Sequence, residues 1–318
     1  MRIAGAMAAA AIGDAMGAAT VGYTPSLIKE RYGGPLRGFV QPIPAHKLRS
    51  QWGYAEITDD TMLIKLTAQS IALHGAVVRR DIAQRIIGLS DKYARGSSGK
   101  FKERNDANAV IPPVLGNGAA TRCIAVGIMY SLTDLERMLN AVLDVSIMTH
   151  GTRTSVEAAA VIACMISGAI EELSFQDTLA AALEAARSIR KFHLPEDGGN
   201  LEQEIRRCLA MGYIAFSSSS NRDGEWGFIV TESIALIISI LAEITDTREA
   251  ILAAVNVGGD ADSTAAMVGA ISAARNPESF PTDWWDTVSK QNNLDFGEVS
   301  LRLSEIRTAE SCICGGSR

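Results

Sequence analysis

Two glycines, two carboxylates and two hydroxyls are packed into the stretch Asn256-Val-Gly-Gly-Asp-Ala-Asp-Ser-Thr264. An apolar run of small residues follows it as far as Ala274, and such a run predicts a helix that is buried on most sides. In an extended turn ahead of that helix, Asp260 and Asp262 can point the same way, and with Ser263 they suit a hard cation such as Mg²⁺. Capping of the helix N-terminus by one of these side chains is the simpler alternative.

Helical periodicity extends from that stretch through most of the chain, and alternating β patterns are almost absent. The predicted helices are Arg2–Ala18, Asp60–Leu73, Arg80–Tyr93, Leu132–Ser146, Thr154–Glu172, Phe175–Lys191, Leu201–Phe216, Val230–Ile244, Thr247–Val255, Asp262–Ala274 and Phe296–Ile306. Two loop-rich stretches interrupt them, Tyr23–Ile57 and Gly96–Leu115. We therefore predict an all-α protein with a single compact multi-helix domain over residues 1–307 and a flexible C-terminal tail over 308–318.

Composition and charge are those of an ordinary globular protein. The chain has 318 residues, of which 47% are apolar and 21% charged. Its net charge of −6 argues against nonspecific binding of nucleic acid. The five cysteines suggest no disulfide framework, so we expect a reducing, cytoplasmic location.

No stretch of the chain predicts a membrane segment. The apolar N-terminus resembles a signal peptide in composition, but it is mostly alanine and Asp14 interrupts it, which favours a buried first helix. The longest apolar stretch, Ile229–Ile244, carries Glu232 and Glu243 and predicts a core helix.

A second oxygen-rich cluster, Ile57-Thr-Asp-Asp-Thr61, opens another apolar helix. Capping and a favourable helix-dipole interaction would explain it alone. However, both clusters place a hydroxyl and two aspartates at the start of an apolar helix. Brought together, they would make an all-oxygen site with room for two metal ions, and no cysteine or histidine spacing favours Zn²⁺ instead.

Six segments, taken together in their order and spacing, carry a family resemblance: Gly13-Asp-Ala-Met-Gly17, Thr58-Asp-Asp-Thr61, Gly116-Asn-Gly-Ala-Ala-Thr-Arg122, Thr149-His150, Gly227 to Ser233 and Gly258-Gly-Asp-Ala-Asp-Ser263. In these segments the chain resembles the ADP-ribosylglycohydrolase family, which includes the dinitrogenase reductase activating glycohydrolase. The resemblance implies the all-α fold of that family, a binuclear Mg²⁺ centre in which Mn²⁺ could substitute, and cleavage of a glycosidic bond to ADP-ribose. The metal ligands that it implies are Thr58, Asp59, Asp60, Asp260, Asp262 and Ser263. The family usually has Thr at position 263, and Ser retains the hydroxyl.

This chemistry suits the residues. Glycosidic bonds break through an oxocarbenium-like state, and metal ions can orient the sugar and acidify a water. Asp60 and Asp262 are the candidates for accepting the proton of that water. The expected partner is a small-molecule or ADP-ribosylated substrate, and the oligomeric state is left open. The alternatives are a nucleosidase-like hydrolase of a smaller riboside and a non-catalytic binding or structural descendant, although the intact set of six ligands argues against the last.

Three further positions are candidates beside the metal ligands. Gly116, Asn117 and Gly118 form a loop whose N–H groups could approach a phosphate, as the family implies, or a plain turn. The resemblance places His150 near the diphosphate as a donor, and a purely structural histidine is the alternative. Asp14 would be costly if buried unpaired, and for it we favour a structural role over one supporting the metal site.

One departure from the family concerns the substrate. Val21 stands where members often carry a Glu that reaches the metal site or its water, and a valine can neither bind a metal nor move a proton. Glu56 is the nearest carboxylate in sequence that could compensate. We therefore expect weak or absent activity on ADP-ribosylated protein side chains, with a different ribosyl compound as the substrate.

Overall fold

Helices make up the architecture of the described chain, and the computed structural model describes residues 1–43, 52–94, 96–108, 115–219 and 227–315. No residue in these ranges lies in a β-strand, which confirms the all-α prediction, and the helices form one compact domain. The sixteen α-helices of these ranges, numbered α1 to α16 in chain order, are Arg2–Gly17, Pro25–Tyr32, Asp59–His74, Arg79–Ile87, Gly96–Arg104, Gly118–Met129, Leu135–Ser146, Arg153–Ile170, Phe175–Ser188, Leu201–Met211, Tyr213–Ser219, Val230–Glu243, Thr247–Val257, Ala261–Arg275, Thr282–Asn292 and Gly297–Gly315.

The central helix pair, α1 and α14, is packed backbone against backbone. A Cβ atom built on Gly13 would lie 2.0 Å from the carbonyl oxygen of Ala265, and one on Gly17 would lie 2.3 Å from that of Ala261. Any other residue at these positions would push the helices apart, because no change of rotamer moves a Cβ atom. The close contact places Asp14, which lies between the two glycines, against the first turn of α14.

The loop between α13 and α14 is held against the end of α1. Gly258 has a φ of +74°, and a Cβ atom on it would lie 2.0 Å from the carbonyl oxygen of Tyr23. The backbone N–H of Gly259 donates to that same oxygen at 3.0 Å, and the N–H of Gly22 donates to the Gly259 carbonyl at 2.6 Å. These contacts fix the direction from which Asp260 enters α14.

The apolar helices and the described cysteines lie in the core. Helix α8 is long and apolar enough to cross a membrane by length and composition, but 89% of that segment is buried inside the protein, as expected of a core helix. Cys123, Cys164 and Cys208 are buried free thiols, as their apolar surroundings predict.

Two of the predicted helices run past a glycine at which the observed helix ends. The predicted helix Leu201–Phe216 is broken at Gly212, whose φ of +77° ends α10 before α11 begins. The predicted helix Arg80–Tyr93 stops at Ile87, where Gly88 follows as the C-cap. In both cases a glycine inside the apolar pattern ends the helix, since glycine stabilises a helix interior less than other residues do.

Four helices lie outside the predicted set, namely α2, α5, α6 and α15. The first two lie within the stretches predicted to be loops. For α2 the sequence does hold a start signal, because Pro25 occupies the first turn and the Thr24 hydroxyl accepts from the N–H of Leu27 at 3.2 Å. Helix α16 overlaps the segment 308–318, and the flexibility of that segment and the domain limits stay predictions.

Candidate metal centre

Three aspartates from three helices converge at the starts of α3 and α14. They are Asp14 on α1, Asp60 in the first turn of α3 and Asp262 in the first turn of α14. One carboxylate oxygen of each lies within 4.8 Å of the others. This spacing brings together the two oxygen-rich clusters of the sequence and adds a carboxylate from the first helix.

Asp14 binds the start of α3 from outside that helix. Its Oδ2 accepts from the backbone N–H groups of Thr58, at 2.9 Å, and Thr61, at 3.1 Å. Its carboxylate also accepts from both hydroxyls, that of Thr58 at 2.6 Å. Asp14 therefore caps a neighbouring helix, as its structural interpretation predicts, and it also contributes an oxygen to the acidic group.

The α14 side of the centre is connected to α3 and α6 by hydrogen bonds. Ser263 Oγ donates to Asp60 Oδ2 at 2.7 Å, and the Ser263 N–H donates to Asp262 Oδ1 at 2.9 Å. Asn117 Nδ2 donates to Asp260 Oδ2 at 2.5 Å. The Thr58 hydroxyl caps α3 by accepting from the N–H of Asp60 at 3.3 Å, so the capping alternative holds at this start and an oxygen lone pair still remains.

Burial and mutual repulsion raise the pKa values of these carboxyl groups. Burial, and then the charge of Asp262, raise the pKa of Asp14 to about 7. Burial, followed by Asp262 and the other aspartates, raises the pKa of Asp60 well above 3.8, and the pKa of Asp260 is raised by burial and then by Asp262. A divalent cation would relieve this repulsion, and an all-oxygen donor set suits Mg²⁺ or Mn²⁺. The residues present therefore fit a divalent metal.

The predicted substrate-binding residues lie beside this acidic group. Asn117 precedes α6, and its Nδ2 also donates to the Gly227 carbonyl at 3.0 Å, which fixes the orientation of the amide. Its Oδ1 is buried and has no hydrogen-bond partner among the described residues. Gly118 begins α6 in contact range of the His150 ring, and Gly116 lies just ahead of them. Their binding roles stay predictions.

The imidazole ring of His150 is neutral in the folded protein. Only 3% of the residue is exposed, and burial, together with the charge of Arg122, lowers the pKa of His150 to about 3. Its Nδ1 lies 2.8 Å from the hydroxyl oxygen of Thr149. The ring can therefore offer one N–H donor to a ligand but not a positive charge.

The structure also bears on Val21 and Glu56. Val21 precedes Gly22, whose N–H donates to the Gly259 carbonyl, so its backbone lies beside the loop that leads to Asp260. Glu56 accepts from the N–H of Gly53 at 2.7 Å and forms an ion pair with Lys92. With both oxygens of Glu56 engaged in this way, the structure gives no support to the idea that it compensates for Val21.

Sequence reasoning missed two buried residues and underrated a third. The Thr149 hydroxyl lies within hydrogen-bond distance of His150 Nδ1, and Arg122 donates to that hydroxyl. Asp14 belongs to the acidic group as well as capping α3. The available signal was a charged residue inside an apolar helix, since both Arg122 and Asp14 interrupt runs of small apolar residues.

Fold and site together define an all-α protein with a buried acidic centre at the starts of two helices. A model of the ADP-ribosylglycohydrolase family matches residues 1–310, so this chain belongs to that family. The chain is similar to the ADP-ribosyl-[dinitrogen reductase] glycohydrolase of Rhodospirillum rubrum, with 24% identity over 300 residues, 89% of this chain and 88% of the relative.

Other relatives match over almost the full length. An uncharacterized protein of Escherichia coli (strain K12), YegU, is 25% identical over 337 residues, covering 98% of this chain and 99% of its own. A protein of Archaeoglobus fulgidus, also uncharacterized, is 26% identical over 319 residues, 93% of each chain. The fold is similar to that of an ADP-ribosylglycohydrolase-related protein complex, with a TM-score of 0.65 at 22% identity, covering 96% of this chain and 98% of that one.

The raised pKa values predict how the stability of the metal-free protein depends on pH. Unfolded aspartates lose their protons near pH 3.8, whereas Asp14 keeps its proton to about pH 7 in the folded state. The folded state thus binds more protons in this interval, and the free energy of unfolding should fall as pH rises from about 4 to about 7, by at most roughly 1.4 kcal/mol per pH unit for each such group. Melting temperatures recorded in a chelator between about pH 4 and pH 7 would measure this dependence of stability on pH.

Bound Mg²⁺ should reverse this fall of stability with rising pH. It should raise the melting temperature more at pH 7.5 than at pH 5, because protons compete with the metal for the carboxylates. The Asp262→Asn variant provides the comparison, since it removes the charge that repels Asp14, Asp60 and Asp260 and should flatten the pH dependence. A metal-free wild type whose pH dependence equals that of Asp262→Asn would contradict the prediction.

Proposed function

We propose that this protein is a Mg²⁺-dependent hydrolase that cleaves the glycosidic bond between the ribose of ADP-ribose, or of a related ribosyl conjugate, and its leaving group. The convergence of the Asp14, Asp60 and Asp262 carboxylates in a chain of the ADP-ribosylglycohydrolase family is the observation that supports this most. The relative from Rhodospirillum rubrum is named for the same kind of reaction.

The metal-binding residues of this proposal are those at the two helix starts. Two Mg²⁺, or Mn²⁺ in their place, would be held by Thr58, Asp59, Asp60, Asp260, Asp262 and Ser263. Asp14 supports this set by holding the start of α3 in place. When bound, the cations would supply positive charge that holds the ribose hydroxyls and lowers the pKa of a water.

The side chains of the centre would handle the proton. The attacking water must give up a proton as the oxocarbenium-like state forms at the anomeric carbon, and Asp60 and Asp262 would accept it. Ser263 Oγ donates to one oxygen of Asp60 and the Ser263 N–H to one oxygen of Asp262, so the start of α14 orients both carboxylates. Asn117, Gly116, Gly118 and His150 would bind the rest of the substrate.

The test is release of ADP-ribose or ribose from a panel of ADP-ribosyl-arginine, ADP-ribosyl-serine and nucleosides. We expect hydrolysis of at least one compound with Mg²⁺, loss of activity with a chelator, and recovery on adding Mg²⁺ or Mn²⁺. Hydrolysis that proceeds unchanged in the chelator would contradict the metal requirement. A protein that is stabilised by neither Mg²⁺ nor ADP-ribose and cleaves nothing in the panel would contradict the proposal as a whole.

A smaller riboside is the second candidate substrate, and Val21 is the observation that favours it. This apolar residue lies beside the acidic loop, where it can neither bind a metal nor transfer a proton. We expect the wild type to cleave ADP-ribosylated side chains weakly, and Val21→Glu to increase that activity. Glu56→Gln is the matched control, because the Glu56 carboxylate is engaged by Gly53 and Lys92. Efficient wild-type cleavage of either ADP-ribosylated side chain would exclude this second candidate.

A further inference from the structure

A buried guanidinium lies near the His150 ring. Arg122 is on α6, one helical turn after Gly118, and only 1% of it is exposed. Its Nη2 donates to the Val145 carbonyl at 3.1 Å and to the Thr149 hydroxyl oxygen. Among the described residues no carboxylate forms an ion pair with it, although the charge of Asp60 favours its protonated form, and its Nε lacks a partner. A buried charge without an ion-pair partner destabilises a fold, so simple stability does not account for this residue.

The Thr149 hydroxyl fixes the direction of the next hydrogen bond. A guanidinium can only donate, so the Thr149 oxygen must accept from Arg122. The hydroxyl has a single hydrogen, Thr149 is fully buried, and the acceptor described within reach is His150 Nδ1 at 2.8 Å. If Nδ1 carried the proton instead, the Thr149 hydrogen would be left unsatisfied in the interior, which is the costlier arrangement.

We propose that Arg122 and Thr149 are positioning residues that hold His150 in the neutral tautomer protonated at Nε2. The ring is neutral, so it has one N–H; the nitrogen that carries this hydrogen donates, and the other nitrogen accepts. The Arg122 guanidinium donates to Thr149 Oγ1, and the Thr149 hydroxyl donates to His150 Nδ1. Because Nδ1 accepts, the single hydrogen of the ring must be on Nε2.

The Nε2–H side of the ring faces the start of α6. A Cβ atom on Gly118 would lie 3.1 Å from His150 Cε1 and 3.7 Å from Nε2, so this edge packs against the first residue of the helix. Nε2 has no described partner within the protein, and Asn117, bonded to Asp260, is adjacent in sequence. The donor therefore serves an oxygen acceptor of the ligand, a role that rests on the proposed function, whereas the tautomer itself does not.

Long-range ¹H–¹⁵N correlation spectra of the histidine rings test the tautomer directly in the free protein. The chain has four histidines, and His150→Gln assigns the signal. We expect His150 to be protonated at Nε2 in the wild type and in Thr149→Ser, which keeps the hydroxyl. Thr149→Val and Arg122→Met should give a mixture of tautomers. If the wild-type ring is protonated at Nδ1, the inference is wrong, whether or not the variants fold. A Thr149→Val protein whose His150 signals equal those of the wild type would also overturn it. An Arg122→Met protein with wild-type His150 signals would overturn the role of Arg122.

Affinity for ADP-ribose, measured by calorimetry in the presence of Mg²⁺, provides the functional readout. Thr149→Val should weaken binding roughly 3- to 10-fold, the effect of losing one aligned hydrogen bond, while Thr149→Ser should bind as the wild type does. Equal affinity in the wild type and Thr149→Val would overturn the ligand-donor role. If the wild type bound no ADP-ribose, ADP-ribose would be excluded as the ligand of the proposed function, while the tautomer result would still stand on its spectrum.

Discussion

Asp262→Asn is expected to abolish turnover and divalent-cation binding while raising the melting temperature of the metal-free protein. The Asp262 carboxylate belongs to the acidic group, and its charge raises the pKa values of Asp14, Asp60 and Asp260. Removing that charge with little change of shape relieves repulsion in the empty centre but deletes a metal ligand. We expect kcat to fall by roughly 10²- to 10³-fold or more, the scale seen when one group that stabilises charge at the reacting atoms is lost.

The measurements are calorimetric metal binding, turnover, and thermal melting with and without Mg²⁺. Asp60→Asn should behave in the same way, with the helical circular dichroism spectrum preserved in both variants. Asp286→Asn on α15 is the matched control, since this exposed aspartate lies outside the acidic group and its replacement should change none of these quantities. An Asp262→Asn protein that binds Mg²⁺ as the wild type does would rule out the metal assignment.

Gly13→Ala is expected to destabilise the protein by about 3 kcal/mol, the upper end of the usual cost of overpacking, and to disrupt the acidic centre at the same time. The new Cβ atom would lie 2.0 Å from the Ala265 carbonyl oxygen, and a backbone atom cannot move aside as a flexible side chain can. Helices α1 and α14 must therefore separate. Because Asp14 follows Gly13 directly and Asp262 lies at the start of α14, the distance between their carboxylates must also increase.

Gly5→Ala is the matched control on the same helix. A Cβ atom at Gly5 would have no neighbour closer than 3.9 Å, so alanine should be neutral or stabilise α1 by up to about 1 kcal/mol. Chemical denaturation of both variants, combined with Mg²⁺ titration, separates the two effects. If Gly13→Ala matched Gly5→Ala in stability and metal affinity, the close packing of α1 on α14 could not be what aligns the centre.

Most of the helices could be predicted from the sequence, including the almost wholly buried α8 and α14, but α6 could not. Helix α7 alternates buried and exposed residues, and its predicted end at Ser146 is correct. In α6, eleven of the twelve residues are buried, so no polar face creates a period, and the Asn117-Gly118 pair ahead of it is typical of a turn. Tertiary packing, rather than local periodicity, makes this segment a helix.

The components of the candidate site were visible in the sequence, but their assembly was not. Each oxygen-rich cluster is contiguous, because a helix start needs a cap and a cation needs oxygen donors, and both needs select the same residue types. No residue within either cluster indicates its partner. The connection was implied only by resemblance to a family, and the structure makes it through Ser263 and Asp60, which are 203 positions apart.

The helical class, the two acidic helix starts and the family could all be predicted from the order of residues along the chain. The position of Asp14 at those starts, and the contacts that connect Arg122 and Thr149 to His150, depend on how the helices pack. Capping and periodicity act within a few residues of the chain and so carry no information on such contacts. The distance between two buried side chains depends instead on how closely their helices pack, and here glycine contacts between α1 and α14 set that distance.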